Sequence, residues 1–287
     1  MSRIADAFLA RRPDLLTEDR YSPEVAGRVT SLSRWLERIF RFRISGFDRV
    51  PAGPCLIVVN HSIASPVVQA LLVRAWHQHL PDRPVRGLVH RVAYVWPFTL
   101  IGDVILGCGG VFAHPAVARA VLARGCALAV FPGGDVEATR PYSERYRINL
   151  AGRTGFIRLA REAGVPIVPL VICGSHSTFV TMPGGRAISR ALGLKSLWGL
   201  ESFPLTAGFL AAGALFLLAL ALPPLWPLAV LSLVQAAIPF PARIEAECLA
   251  PMAVTAQESD AEAAERVRAA MQEGMDRLAA TRSTPWG

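Results

Sequence analysis

The chain reads as an α/β protein with a mostly parallel central sheet covered by helices on both faces. Three observations lead there. Short, uninterrupted apolar runs at 55–59, 126–131 and 166–173 have the length of strands buried on both faces. Stretches of helical periodicity separate these runs, which makes the strands parallel neighbours joined by crossovers. At 287 residues the chain accommodates one such domain with an appendage.

Residues 1–43 are expected to form an N-terminal helical region. Within it, 24–41 place Val25, Val29, Leu32, Trp35, Leu36 and Ile39 at helical spacing with arginines between them. This predicts an amphipathic helix that packs on the body or lies on a membrane. The first residues hold no apolar stretch long enough for a signal peptide, so the domain is expected to stay in the cytoplasm. The α/β domain is assigned to 44–202 and 243–256. It opens on an alternating strand, turns through Gly and Pro, and reaches the core strand at 55–59, with His61 just beyond. Residues 67–79 read as a helix, 81–89 as a strand, and 115–124 as a helix capped by Gly125. A strand at 126–131, a helix at 150–163 closed by Gly164, and a strand at 166–173 complete it. Ligands of such folds gather at the carboxyl ends of the strands, where His61 and the loop after Phe131 both fall.

Residues 203–242 carry no charge across 40 positions. The run at 205–222, about 18 residues, is at the lower limit for crossing a bilayer, and 228–238, about 11 residues, is below it. Pro223, Pro224 and Pro227 interrupt the two. Charged sequence flanks both sides, so a membrane-embedded apolar helical hairpin is expected ahead of a pair of spans or a buried helix pair. Residues 257–287 form a polar, Ala-rich amphipathic helix and tail.

Hydrophobic residues make up 52% and charged ones only 18%, which excludes a disordered chain and makes membrane lipids an expected partner. The net charge of +8 is almost wholly arginine, since Lys195 is the only lysine. Anionic lipid and phosphorylated substrates are candidates for that charge. Nucleic acid is not, because the arginines are scattered and the aromatics lie in apolar runs. The five cysteines, Cys55, Cys108, Cys126, Cys173 and Cys248, are odd in number without a CxxC pair, as expected in a reducing compartment. Histidines and cysteines show no metal spacing, so no metal is expected, and His114 and His176 read as polar loop residues.

Two stretches carry chemistry. Asn60-His61-Ser62 puts an imidazole past a buried strand, where its neutral form accepts a proton from a hydroxyl attacking a carbonyl. Phe131 to Pro141 pairs Gly133 and Gly134, which let a ligand approach the backbone, with Asp135, Glu137 and Arg140.

These stretches resemble the phospholipid/glycerol acyltransferase superfamily, which includes lysophosphatidic acid acyltransferases and, through the Pro-Gly-Gly form of the loop, the diacylglycerol acyltransferase branch. The resemblance spans 45–200. It rests on four ordered blocks: Asn60-His61-Ser62, Gly110-Val111-Phe112-Ala113, Phe131 to Arg140, and Val165 to Leu170. It implies that His61 is a general base, oriented by an aspartate five positions later. Position 66 is Pro66, and Val67, Val68 and Gln69 offer no carboxylate. Glu137 is therefore expected to replace it, with Asp135 the other candidate. Asn60, Ser62, Gly133, Gly134, Asp135 and Arg140 are expected to bind substrate, the Gly133 and Gly134 amides facing an oxyanion or phosphate and Arg140 holding an anionic head group. Arg145, Arg147, Arg153 and the pair His90-Arg91 are further cations. The expected activity is O-acyl transfer from acyl-CoA or acyl carrier protein to a lysophospholipid or glycerolipid hydroxyl, with no cofactor, at the cytoplasmic face of a bacterial-type inner membrane. The alternative is a silent lipid-binding or scaffolding relative that lost the His/Asp dyad.

Overall fold

The computed structural model describes residues 7, 10–17, 19–90, 94, 99–236 and 238–287. Strands β1 (Arg43–Ser45), β2 (Leu56–Val59), β3 (Val85–Val89), β4 (Gly110–Phe112), β5 (Ala127–Val130), β6 (Ile167–Cys173) and β7 (Glu245–Cys248) form one sheet, ordered β1-β7-β6-β2-β5-β3-β4. The five strands from β6 to β4 run parallel. At the other edge β7 pairs antiparallel with β6 and carries β1 parallel to itself.

The central strand shows why the fold is two-sided. All four β2 side chains are at most 3% exposed. Leu56 and Val58 join one core with Val117 and Val121 of α4 (Pro115–Ala123), Ile157 of α6 (Gly155–Ala163), and Val267 and Met271 of α11 (Asp260–Ala280). Ile57 and Val59 join another, with Val68, Leu71 and Trp76 of α2 (Ser65–His79). Period-two alternation sends successive residues to opposite faces, so an all-apolar strand requires helices on both. Each such side chain contributes about 1.5–3 kcal/mol relative to exposure.

The helix ends follow local chemistry. Ser22 accepts from the Val25 amide and starts α1 (Pro23–Ile39), and Ser259 and Glu262 close a capping box on α11. The apolar stripe expected of α1 divides: Leu32, Trp35 and Ile39 are 63%, 50% and 38% exposed, and Ala26 and Ser33 are buried instead. The expected strand at 81–89 shortens to β3, and two further elements, α3 (Thr99–Gly107) and α5 (Gly134–Ala138), complete this part.

Beyond β6 the chain forms α7 (Gly185–Ala191), α8 (Leu194–Trp198), α9 (Ala207–Ala221) and α10 (Trp226–Ala236). Helices α9 and α10 pack together across the short turn Pro223–Leu225, with Phe216 edge-on to Trp226 at 5.0 Å. Among the described residues no helix is long and apolar enough to cross a membrane, so an inserted apolar hairpin is not supported by helix length, and a pair of spans is corrected. Pro227 does not break α10 but sits in its first turn, where its missing N–H has no partner to lose. A buried helix pair is likewise corrected. Ala212, Ala219 and Ala229 are fully buried, whereas Leu217, Leu220, Leu228 and Leu231 are between 52% and 67% exposed.

Candidate active site

The site is assembled at the carboxyl end of the sheet. Past Val59 the backbone ladder is continued by a side chain: Asn60 Oδ1 accepts from the Ile172 N–H at 2.7 Å and Nδ2 donates to the Ile172 carbonyl at 3.0 Å. The amide imitates a peptide unit and locks the end of β2 to β6. Asn60 is 2% exposed and committed to this backbone, so its expected role against substrate is replaced by a positioning one. Ser62 is also buried, at 4%.

His61 follows, partly buried, its ring 5.0 Å from that of Phe131. Burial pulls its pKa from 6.5 down to about 4, against the nearby Asp135 carboxylate. The imidazole is therefore neutral at physiological pH. Glu137, fully buried, does reach His61, but at the main chain: Oε2 accepts the His61 backbone N–H at 2.9 Å. Its other oxygen accepts from the Asn149 N–H at 3.1 Å and from Arg140 Nη1 at 3.2 Å. Burial pushes Glu137 up to about 7, opposed first by Arg140 and then by the two amides. Among the described residues no carboxylate bonds the imidazole ring, which corrects the expectation that Glu137 stands in for the missing aspartate.

The loop is packed as tightly. A Cβ on Gly133 would strike the Glu137 carboxylate and the Asn149 carbonyl, and one on Gly134, at φ +54°, would strike Arg153. Of the two amides expected to face an oxyanion or phosphate, the Gly134 N–H is already donated to the Phe131 carbonyl at 3.1 Å. Asp135 accepts from the amides of Val136 and Ser202 at 3.0 Å each and from that of Glu201, tying down the segment before α9. Arg140 is the clearest correction. It is 3% exposed, and its guanidinium serves Glu137, the Glu144 carbonyl at 3.0 Å and the Arg145 carbonyl at 3.1 Å, so it braces the loop rather than gripping a head group. Arg145 stacks on Tyr142 and Tyr146, and Arg153 donates to the Pro132 carbonyl at 2.8 Å. His90 ends its segment just past β3, and Arg91 lies outside the described residues.

Two cavities adjoin this network. An apolar pocket of about 220 Å³ is lined by Val59, Pro66, Val73, Trp76, Leu88 and Phe131. An open polar cleft of about 830 Å³ begins at Thr139, Arg140 and Asn149. Two histidines read as loop residues differ in place. His114 caps α4, accepting from Ala116 N–H at 3.1 Å. His176, 6% exposed with no partner on Nε2 among the described residues, lies close enough to Arg140 and His61 for their charges, after burial itself, to oppose its protonation. Only the pairing of β6 with β2 could reveal that.

Three outcomes are expected. Glu137→Ala leaves Arg140 buried without its counter-charge and two amides unpaired, and should cost about 3–5 kcal/mol in urea denaturation. The His61 ring, followed by ¹⁵N–¹H correlation spectra, should stay neutral until the pH approaches about 4. A midpoint near 6.5 would contradict the burial. Since the unfolded chain takes up this proton near 6.5 and the fold does not, the His61 contribution to stability should decline as pH falls from about 6.5 towards about 4. Glu137, raised to about 7, contributes the opposite slope, so the His61 slope is read as the difference between the parent chain and His61→Ala in urea denaturation.

Residues 41–173 match the Acyltransferase family. A protein of Mycobacterium tuberculosis with no assigned activity is 32% identical over 192 residues, 66% of this chain and 51% of its own length. An enzyme of Gallus gallus described as a DGAT1/2-independent enzyme synthesizing storage lipids is 32% identical over 158 residues, 53% of this chain and 44% of its own. The chain thus spans about half the length of the curated relatives it matches. The fold is shared with 1-acyl-sn-glycerophosphate acyltransferase PlsC of Thermotoga maritima, at a TM-score of 0.55 and 15% identity, over 90% of this chain and 81% of that one. Residues 41–173, which carry the histidine block, the Pro-Gly-Gly loop and strands β1 to β6, thus form a domain of the Acyltransferase family.

Proposed function

We propose that this chain transfers a fatty acyl group from acyl-CoA or acyl carrier protein to a hydroxyl of a lysophospholipid or glycerolipid acceptor. The observation that carries the reading is the His61 ring, held 5.0 Å from that of Phe131, a wall of the apolar pocket. The acyl chain lies in that pocket, which brings its thioester to the imidazole. His61 takes the acceptor's proton as the oxygen attacks the carbonyl, the C–S bond breaks, and the thiolate leaves with the proton from the imidazolium. The Gly133 N–H is the loop's donor for the developing oxyanion.

The reaction is placed at a membrane surface, on its cytoplasmic side, and the exposed leucines of α9 and α10 with Leu32, Trp35 and Ile39 of α1 support docking to such a surface. Such faces bury in the interfacial layer without crossing it, and the arginine excess adds attraction to anionic lipid. One observation favours the silent-relative reading: among the described residues no carboxylate bonds the imidazole, and loss of that partner from a catalytic triad costs on the order of 10⁴ in rate.

Purified protein given acyl-CoA and a panel of lysophospholipids should release thiol, and His61→Ala should abolish that release. Transfer surviving the substitution would sink the general-base role, and no transfer to any acceptor would favour the scaffold. In vesicle co-sedimentation with phosphatidylglycerol-containing liposomes, L217D/L231D should stay in the supernatant while the parent chain pellets. Equal pelleting would remove the hairpin from membrane docking.

A further inference from the structure

The polar cleft begins where Glu137 hands the site over. One carboxylate joins the His61 N–H to Arg140 and Asn149, and both of these line the cleft. Arg140 is spent inside the fold, so it leaves anion binding to other groups. The cleft supplies them. Arg147 projects from the loop after Arg140, and Arg186 and Arg190 come from α7, one turn apart on the same side of the helix. All three are exposed and form no salt bridge with the described residues. Arg268, also in the lining, is paired with Glu265 at 2.6 Å, and Glu144 is the other carboxylate there. With Arg140 committed to Glu137 and Arg268 to Glu265, Arg147, Arg186 and Arg190 set against Glu144 leave the lining net positive.

We propose that Arg147, Arg186 and Arg190 bind the phosphates of a phosphorylated substrate, and that the occupant is the nucleotide end of an acyl-CoA donor. The shared chemistry, guanidinium on phosphate, would also suit an acceptor's head group. Two features favour the donor. The cleft of about 830 Å³ lies in the range that encloses a cofactor-sized ligand, roughly 300–1,000 Å³, and three guanidinia match several phosphates better than one. The donor would then run from the polar cleft past His61 into the apolar pocket. This inference rests on the acyl-transfer reading for its ligand, but binding is measurable without turnover.

Isothermal titration of the full chain with adenosine 3′,5′-bisphosphate, CoA and glycerol 3-phosphate separates the sources. The nucleotide and CoA should bind the parent chain, more weakly as salt rises, and R186A/R190A should lose at least about tenfold in affinity for both with unchanged Tm. In the enzymatic assay the same variant should raise KM for acyl-CoA and leave KM for the acceptor unmoved. Should glycerol 3-phosphate binding and acceptor KM respond instead, the cleft holds the head group and the donor assignment is overturned. If no phosphate ligand binds the parent chain, or the variant binds all three as tightly, the phosphate site itself is overturned. Nucleotide binding without acyl transfer would leave this site standing while removing the proposed activity.

Discussion

A carboxylate sealed from water must find enough donors to offset its lost hydration, and around Glu137 that requirement organises the whole carboxyl edge of the sheet. Its two oxygens collect the His61 and Asn149 amides and the Arg140 guanidinium. Arg140, buried in turn, takes the carbonyls of Glu144 and Arg145. Gly133 has to be glycine because the carboxylate occupies the place of its Cβ. The catalytic-block histidine, the loop and the segment after it thus form one hydrogen-bonded unit. A network so fully satisfied gains rigidity and leaves few of its members for a ligand.

That accounting redistributes roles across the site. Asn60 and Arg140 have the residue types of substrate-binding groups, yet both are spent on main chain and on each other's neighbourhood. Among the described residues, the groups with no hydrogen-bond partner at the site include the His61 ring and the Gly133 amide, beside the apolar pocket and the rim of the polar cleft. Pro66 belongs to the same logic. It lines the apolar pocket, where an aspartate would set a charge against hydrocarbon. Its place there is consistent with an imidazole held by its backbone and by Phe131 instead of by a carboxylate.

Helices α9 and α10 reverse the usual arrangement of a helix pair in water. Their seam holds buried alanines and their outer surface leucines, so the helices approach closely while Leu217, Leu220, Leu228 and Leu231 stay exposed. An apolar surface of that kind calls for a cover. In the proposed setting the cover is the interfacial layer of a bilayer, and α1 contributes a second apolar strip bordered by arginines.

By itself the sequence determined the two-faced, mostly parallel sheet, the helices between its strands, and the placement of His61 and the Pro-Gly-Gly loop at strand ends. These are local properties: periodicity, strand-length apolar runs and glycine stops repeat along the chain and need no partner to be read. Which side-chain atoms meet was decided only by the tertiary structure, because such contacts join residues far apart in sequence. Glu137 reaching the His61 main chain spans 76 residues and Asn60 clamping Ile172 spans 112. The same holds for His176, brought to the site by the pairing of β6 with β2, and for Arg186 and Arg190, made part of a cleft by the packing of α7 beside the loop. A residue's type announces what it can bond, but in a close-packed interior its nearest unsatisfied neighbour decides what it does bond.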